Sequence, residues 1–136
     1  MKAVTYSEYA PDDNYSKILK VQDIDDPKPK ADEVVFEVKS AALNYNDIWG
    51  MRGQPVPVPL PHVSGSDAAG DVIAIGEDVK NIKIGDRVVS HSNMSCRVCK
   101  ACTDGREFDC TKRTIWGFQT GPNWGAFQEV THLPEV

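Results

Sequence analysis

Glu33-Val34-Val35-Phe36-Glu37-Val38-Lys39-Ser40-Ala41-Ala42 sets Val34, Phe36 and Val38 against Val35, Glu37 and Lys39. This period of two, with its Val and Phe content, predicts a β-strand. Breakers flank it. Upstream, Asp25-Asp26-Pro27-Lys28-Pro29-Lys30 is turn chemistry, because two prolines remove backbone donors and fix φ. Downstream, the pattern changes at Asn44. Asn44 or Asn46 can cap a short helix through Asp47, Ile48, Trp49 and Met51, which Gly53 ends. Pro55, Pro57, Pro59 and Pro61 then make Gln54 to Pro61 an extended, rigid stretch that cannot be a central strand.

Working outward, further strands are predicted over Lys2 to Tyr6, Lys17 to Ile24, Asp71 to Ile75 (ended by Gly76), Ile84 to Val89 and Gly125 to Thr131. Gly85-Asp86 forms a tight turn inside the fourth of these. The fold class is mainly β. Many short strands with Gly and Pro turns imply a small, partly open β-barrel with short helices rather than a parallel sheet.

The composition sets outer limits. At 136 residues and 15.0 kDa the chain is one domain, large enough to bury a core of its own. Its 40% hydrophobic and 26% charged residues are those of an ordinary globular protein. A net charge of -5 argues against nucleic acid, whose affinity comes mostly from Lys and Arg on the phosphate backbone. No apolar run approaches the roughly 20 residues that span a bilayer. Lys2 is followed by Ser7 and Glu8 rather than by the apolar core of a signal peptide, so a cytoplasmic, reducing compartment is expected.

All four cysteines lie in one lobe, 93–113: Cys96, Cys99, Cys102 and Cys110, spaced C-x2-C-x2-C-x7-C. Such spacing suits a closed, tetrahedral, all-thiolate structural zinc site. Between Cys96 and Arg113 lie five basic and three acidic side chains. With four thiolates and one Zn2+ the lobe is neutral. The rival readings fit less well. Disulfides are disfavoured in a reducing compartment. A four-iron cluster prefers a final C-x3-C-P spacing, and four free thiols at this density are unexpected.

With the lobe in place, the flanking motifs are Gly65-Ser66-Asp67-Ala68-Ala69-Gly70, Val72 to Gly76, Val79, Ile84-Gly85-Asp86-Arg87-Val88, and the closing Gly125-Ala126-Phe127-Gln128-Glu129. Together they resemble the N-terminal domain of the medium-chain dehydrogenase/reductase superfamily, across nearly the whole chain. The resemblance implies a GroES-like barrel over residues 1–136 that forms one wall of an active-site cleft. The other wall would be a Rossmann domain of the same polypeptide, holding NADPH or NADH. No G-x-G-x-x-G occurs between a strand and a helix here, so the chain is expected to be about the N-terminal third of a longer enzyme, inactive alone and a homo-oligomer when complete.

In the alcohol dehydrogenases of this family, a Cys before the short helix and the His of a Gly-His-Glu motif hold catalytic zinc. The matching residues here are Asn44 and Ser66, poor zinc ligands compared with thiolate and imidazole. His62, His91 and His132 lie outside the ligand positions and read as ordinary surface or loop side chains. Without a Lewis acid, hydride transfer suits a C=C conjugated to a carbonyl, the chemistry of the enoyl and quinone reductases. Leu43-Asn44-Tyr45-Asn46-Asp47-Ile48-Trp49 and Ile115-Trp116-Gly117-Phe118 look like the branch of crotonyl-CoA carboxylase/reductases and acrylyl-CoA reductases, which implies an acyl-CoA substrate.

Carried over residue by residue, the resemblance gives Asn44 a polar contact to the acyl group or a bound water. Tyr45 and Asn46 would meet the nicotinamide-ribose side, and Trp49, Trp116 and Phe118 would be apolar walls. Gln119 stands where the carboxylating enzymes carry a Glu, which favours simple reduction. Two alternatives stay open: a zinc alcohol dehydrogenase that rebuilds its site from Asp67 and a displaced His, and a zinc-stapled binding module without catalysis. On the structural side, Asn44 can be only a helix cap, Trp49 only core, and Asp47 a first-turn acid favoured by the helix dipole.

Overall fold

The computed structural model describes residues 1–122 and 124–135. In chain order it contains β1 (Lys2–Thr5), α1 (Tyr15–Ile18), β2 (Lys20–Asp23), β3 (Glu33–Ala42), α2 (Tyr45–Arg52), β4 (Asp67–Ile75), β5 (Arg87–Val89), β6 (Asn93–Met94), α3 (Lys100–Thr103), a 3-10 turn (Glu107–Asp109), β7 (Thr114–Ile115) and β8 (Val130–Pro134). It is a mainly β arrangement with short helices, and among the described residues no sheet closes into a barrel. The expectation for the fold class holds.

The quoted stretch is the centre of the main sheet. β3 pairs antiparallel with β4 on one side and β8 on the other, in the order β5-β4-β3-β8. Its first half departs from the alternating pattern, because Val34, Val35 and Phe36 are all buried. A central strand is covered on both faces where other layers pack on it. Register shifts between Val35 and Phe36 and between Val38 and Ser40 bend the strand, as bulges do. The main core gathers Val34, Phe36, Val72, Trp116 and Leu133. A second cluster beneath α2 holds Tyr6, Ile18, Met51, Val58 and Phe118. The β1–β2 ribbon joins the sheet end through Val4 N–H to Phe127 C=O, 2.8 Å, and Glu129 N–H to Lys2 C=O, 3.0 Å.

Several boundaries differ from expectation. The start of the predicted Lys17 to Ile24 strand closes one helical turn, and β2 begins at Lys20. β4 starts at Asp67 rather than Asp71, and β5 covers only Arg87–Val89. The last strand is Val130–Pro134 rather than Gly125 to Thr131. Ala126 and Phe127 spend their N–H groups on Gly65 and Ser64 carbonyls instead of a ladder. α2 matches its prediction: Asn44 is the extended N-cap residue, and Gly53 ends the helix at φ +70°, a conformation that glycine adopts without steric penalty.

Two of the three histidines correct the surface reading. His62 is fully buried, with Nδ1 3.2 Å from the Pro59 carbonyl and Nε2 3.1 Å from that of Gly117. His132 is buried on β8, with Nδ1 3.1 Å from Glu33 Oε2. Only His91 is exposed as expected. Burial pushes both imidazoles below their usual value of 6.5, outweighing the carbonyls at His62 and the Glu33 carboxylate at His132. The unfolded chain therefore takes up these protons first, and stability is lost as the pH falls through 6.5. Each group contributes at most about 1.4 kcal/mol per pH unit. Thermal melts at about pH 7.5 and about pH 6 are expected to show the lower midpoint at the lower pH. A midpoint that rises on acidification across that window would contradict the buried-neutral assignment.

Candidate functional site

The turn before β4 meets the start of α2, and one buried carboxylate joins them. Asp47 is 2% exposed. Its Oδ2 accepts the Asn44 N–H at 2.7 Å and its Oδ1 accepts the Gly65 N–H at 3.0 Å. Burial raises its pKa, the two backbone donors opposing that shift. The turn needs glycine twice. Gly65 has φ +103°, and a Cβ at Gly117 (φ +73°) would lie 1.9 Å from the Gly65 carbonyl oxygen, closer than any packing permits.

This crossing presents Ser66 and Asp67 to the helix start. The Asn46 amide donates to Ser66 Oγ at 2.8 Å, and the Asn44 amide donates to Asp67 Oδ2 at 2.7 Å. Asn46 Oδ1 is buried without a hydrogen-bond partner, an orphan of the kind that marks a ligand-facing or water-binding atom. Asn44, Asn46, Ser66 and Asp67 therefore form one polar cluster. The expected Asn44 and Asn46 lie side by side in it. Asp47, read from sequence as a first-turn acid, proves to be the residue that docks the helix start onto the Gly65 turn.

Tyr45 and Trp49 sit on the outer face of α2, 61% and 41% exposed, with rings edge-on at 5.5 Å. Beside the helix an apolar hollow of about 470 Å³ is lined by Leu19, Leu43, Ile48, Met51 and Phe127, with Tyr6, Ser64 and Asp47 supplying its polar groups. The Tyr6 hydroxyl lies 3.3 Å from Ser64 Oγ, and burial pushes its pKa up to about 12.

The aromatic motif lies deeper than a cleft wall would. Trp116 is fully buried in the main core, and its indole N–H donates to the His132 carbonyl at 3.1 Å. Phe118 is buried in the cluster under α2. Gln119 closes the 115–119 turn, its N–H donating to the Ile115 carbonyl at 2.8 Å and its Oε1 accepting the Ile115 N–H at 3.0 Å. The three side chains are thus tied into the support of the cluster, and Asn44 is separate from them.

The cysteine lobe forms a second site. Local turns bring its thiols together: Thr103 N–H bonds back to the Cys99 carbonyl at 3.0 Å, and Cys110 N–H to that of Glu107 at 3.0 Å. The four Sγ atoms lie within 4.8 Å of one another, with Cys99 and Cys102 3.5 Å apart and Cys96 and Cys102 4.0 Å apart. A tetrahedron of Zn–S bonds near 2.3 Å has edges of about 3.8 Å, so this donor set fits zinc. Backbone N–H groups of Val98 and Cys99 pull the Cys96 thiol down to about 6, which favours the ligating thiolate. Arg97 ties the lobe to the body by donating to the Glu135 carbonyl. The Glu135 carboxylate in turn accepts the N–H groups of Lys80, Asn81 and Ile82 at 2.6–3.1 Å. Among the described residues no helix is long and apolar enough to cross a membrane.

Comparison with known proteins places this geometry. The family described as alcohol dehydrogenase GroES-like domain matches residues 30–136. A crotonyl-CoA carboxylase/reductase from Cereibacter sphaeroides is 35% identical over 121 residues, covering 85% of this chain and 27% of its own length. An acryloyl-coenzyme A reductase from Sulfurisphaera tokodaii is 33% identical over 94 residues, 69% of this chain and 28% of its own. Among solved structures, an NAD-dependent alcohol dehydrogenase superposes with a TM-score of 0.88 at 36% identity, over 99% of this chain and 38% of that one. The chain spans less than two-fifths of each of these relatives.

Proposed function

Because the chain belongs to the alcohol dehydrogenase GroES-like domain family, we propose that it is the substrate-side, N-terminal third of an NAD(P)H-dependent reductase of enoyl-CoA thioesters of the acrylyl or crotonyl type. The relatives named as acyl-CoA reductases support the substrate class. The remaining length of those relatives leaves room for a Rossmann domain. The observation that carries the reading is the polar cluster: Asn44 and Ser66, amide and hydroxyl, engage Asp67 and Asn46 where the alcohol dehydrogenases of the family place thiolate and imidazole. Oxygen and amide donors of this kind hold zinc poorly and suit hydrogen bonding to an acyl group.

A nicotinamide cofactor, when bound, would supply the hydride for a C=C conjugated to the thioester carbonyl, with a proton from solvent completing the reduction. The residues of this chain bind and orient. Asn44 keeps its second amide hydrogen for the acyl oxygen or a bound water, and its first is fixed by Asp67 at 2.7 Å. Donors already aimed at developing oxyanion charge need no reorganisation. Tyr45 and Asn46 face the cofactor side. Trp116 and Phe118 hold the motif from within the core and Trp49 lines the outer face. Gln119, spent on the Ile115 backbone and carrying no charge, supports reduction without carboxylation. Cys96, Cys99, Cys102 and Cys110 would hold a structural zinc.

Assay of the complete protein against acrylyl-CoA or crotonyl-CoA with NADPH or NADH tests the reading. Reduction that withstands removal of loosely held metal is expected, and Asn44→Ala is expected to lower kcat by about 100-fold, as loss of one oxyanion donor does. The solved alcohol dehydrogenase at 36% identity favours the second reading. Zinc-dependent oxidation of simple alcohols, with no enoyl-thioester turnover, would establish it instead.

A further inference from the structure

Two thiols of the cysteine lobe differ from the others in spacing and in access. Cys99 and Cys102 lie 3.5 Å apart, Sγ to Sγ, closer than the edge of about 3.8 Å in a Zn–S tetrahedron. They share one helical turn: Cys99 precedes α3, Cys102 lies within it, and the Thr103 N–H bonds the Cys99 carbonyl at 3.0 Å. Residues three apart on such a turn have Cα atoms about 5 Å apart, inside the disulfide window of about 4.4–6.8 Å. Closing an S–S bond here takes side-chain rotation and leaves the turn in place. The other two thiols come from separate stretches. Cys96 precedes Arg97, whose φ is +57°, and Cys110 is buried at the end of the 3-10 turn. Solvent reaches the first pair, because Val98 and Lys100 beside Cys99 and Thr103 beside Cys102 are exposed.

We propose that Cys99 and Cys102 are a redox-modification site, at which hydrogen peroxide forms a disulfide and expels zinc from the lobe. One thiolate attacks the peroxide, forming S–O as O–O breaks, and hydroxide leaves. The second thiolate displaces hydroxide from that sulfenic acid, forming S–S as S–O breaks. Two electrons pass from the sulfurs to the peroxide, and two protons from solvent turn the two hydroxides into water. The ion then keeps two thiolates of four, too few for a closed site, and the lobe loses the metal that orders it. This rests on the four cysteines holding zinc and is independent of the substrate class.

The test adds an equimolar amount of hydrogen peroxide to the zinc-loaded complete protein. A chromogenic chelator follows the released zinc, and peptide mass spectrometry maps the cross-link. One zinc released per disulfide is expected, with Cys99 joined to Cys102 and Cys110 still a thiol. Dithiothreitol with added zinc is expected to restore the loaded state. Zinc that stays bound under peroxide overturns the proposal, and so does a cross-link through Cys96 or Cys110, or sulfinic acid without a disulfide. A protein that holds no zinc before peroxide is added overturns the zinc reading as well, and is told apart because the untreated chain already lacks the ion.

Discussion

Stripping zinc from the cysteine lobe is expected to lower the thermal midpoint on the order of 10 °C, with amide protection lost across 93–113 and retained in β3 and β4. The reason lies in what the lobe lacks. α3 and the 3-10 turn contain no buried residue. Of the lobe's large apolar side chains, Val98 and Phe108 are 80% and 74% exposed, and Met94 packs partly against the main core. Such a segment has little core to offset its conformational entropy, so metal binding supplies much of its folding energy. Cys110, the one buried thiol, anchors the cluster against the body. Cys110→Ser is therefore expected to mimic chelation. An unchanged midpoint under chelator, with zinc shown to have left, would mean that turns and the Arg97–Glu135 contact hold the lobe by themselves.

Asp47→Ala is expected to cost about 2–4 kcal/mol in urea unfolding, because it strands the N–H groups of Asn44 and Gly65 at once, each worth about 1–3 kcal/mol when buried unpaired. Asp47→Asn keeps one acceptor oxygen and turns its amide hydrogens towards the other donor, so about half of that loss is expected. The damage extends beyond stability. Gly65 fixes where Ser66 emerges, and Ser66 holds the Asn46 amide, so the polar cluster loses its geometry with the helix dock. A loss below about 1 kcal/mol in the alanine variant would show that water or a shifted backbone replaces the carboxylate.

Local signals in the sequence carried well where the structure is local. The cysteine spacing, the extent of β3 from Glu33 to Ala42, and the α2 boundaries at Asn44 and Gly53 all depend on neighbours within a turn or two. The misreadings arose at long range. His62 reads as a surface or loop residue because nothing near Pro61 reveals that Gly117, 55 residues away, closes over it. The extent of β8 depended on residues 64 and 65 claiming the N–H groups of Ala126 and Phe127. Trp116 carries a motif recognised by likeness, and only the packing shows that its ring belongs to the core. The link from Asp47 to Gly65 did leave a trace, since an acid three residues after a capping Asn is a helix-start signature. The partner of its second oxygen was visible only once the chain was folded.

The most direct test of the central claim, that zinc is held in the cysteine lobe and the cluster at Asn44 works without a metal, is the zinc count of the complete protein by native mass spectrometry, with and without Cys110→Ser. One zinc per chain, lost in the variant, is the predicted result. Two zinc ions per chain would contradict it, because a metal would then have to be held outside the lobe, with Asp67 at the Asn44 cluster as the first candidate ligand.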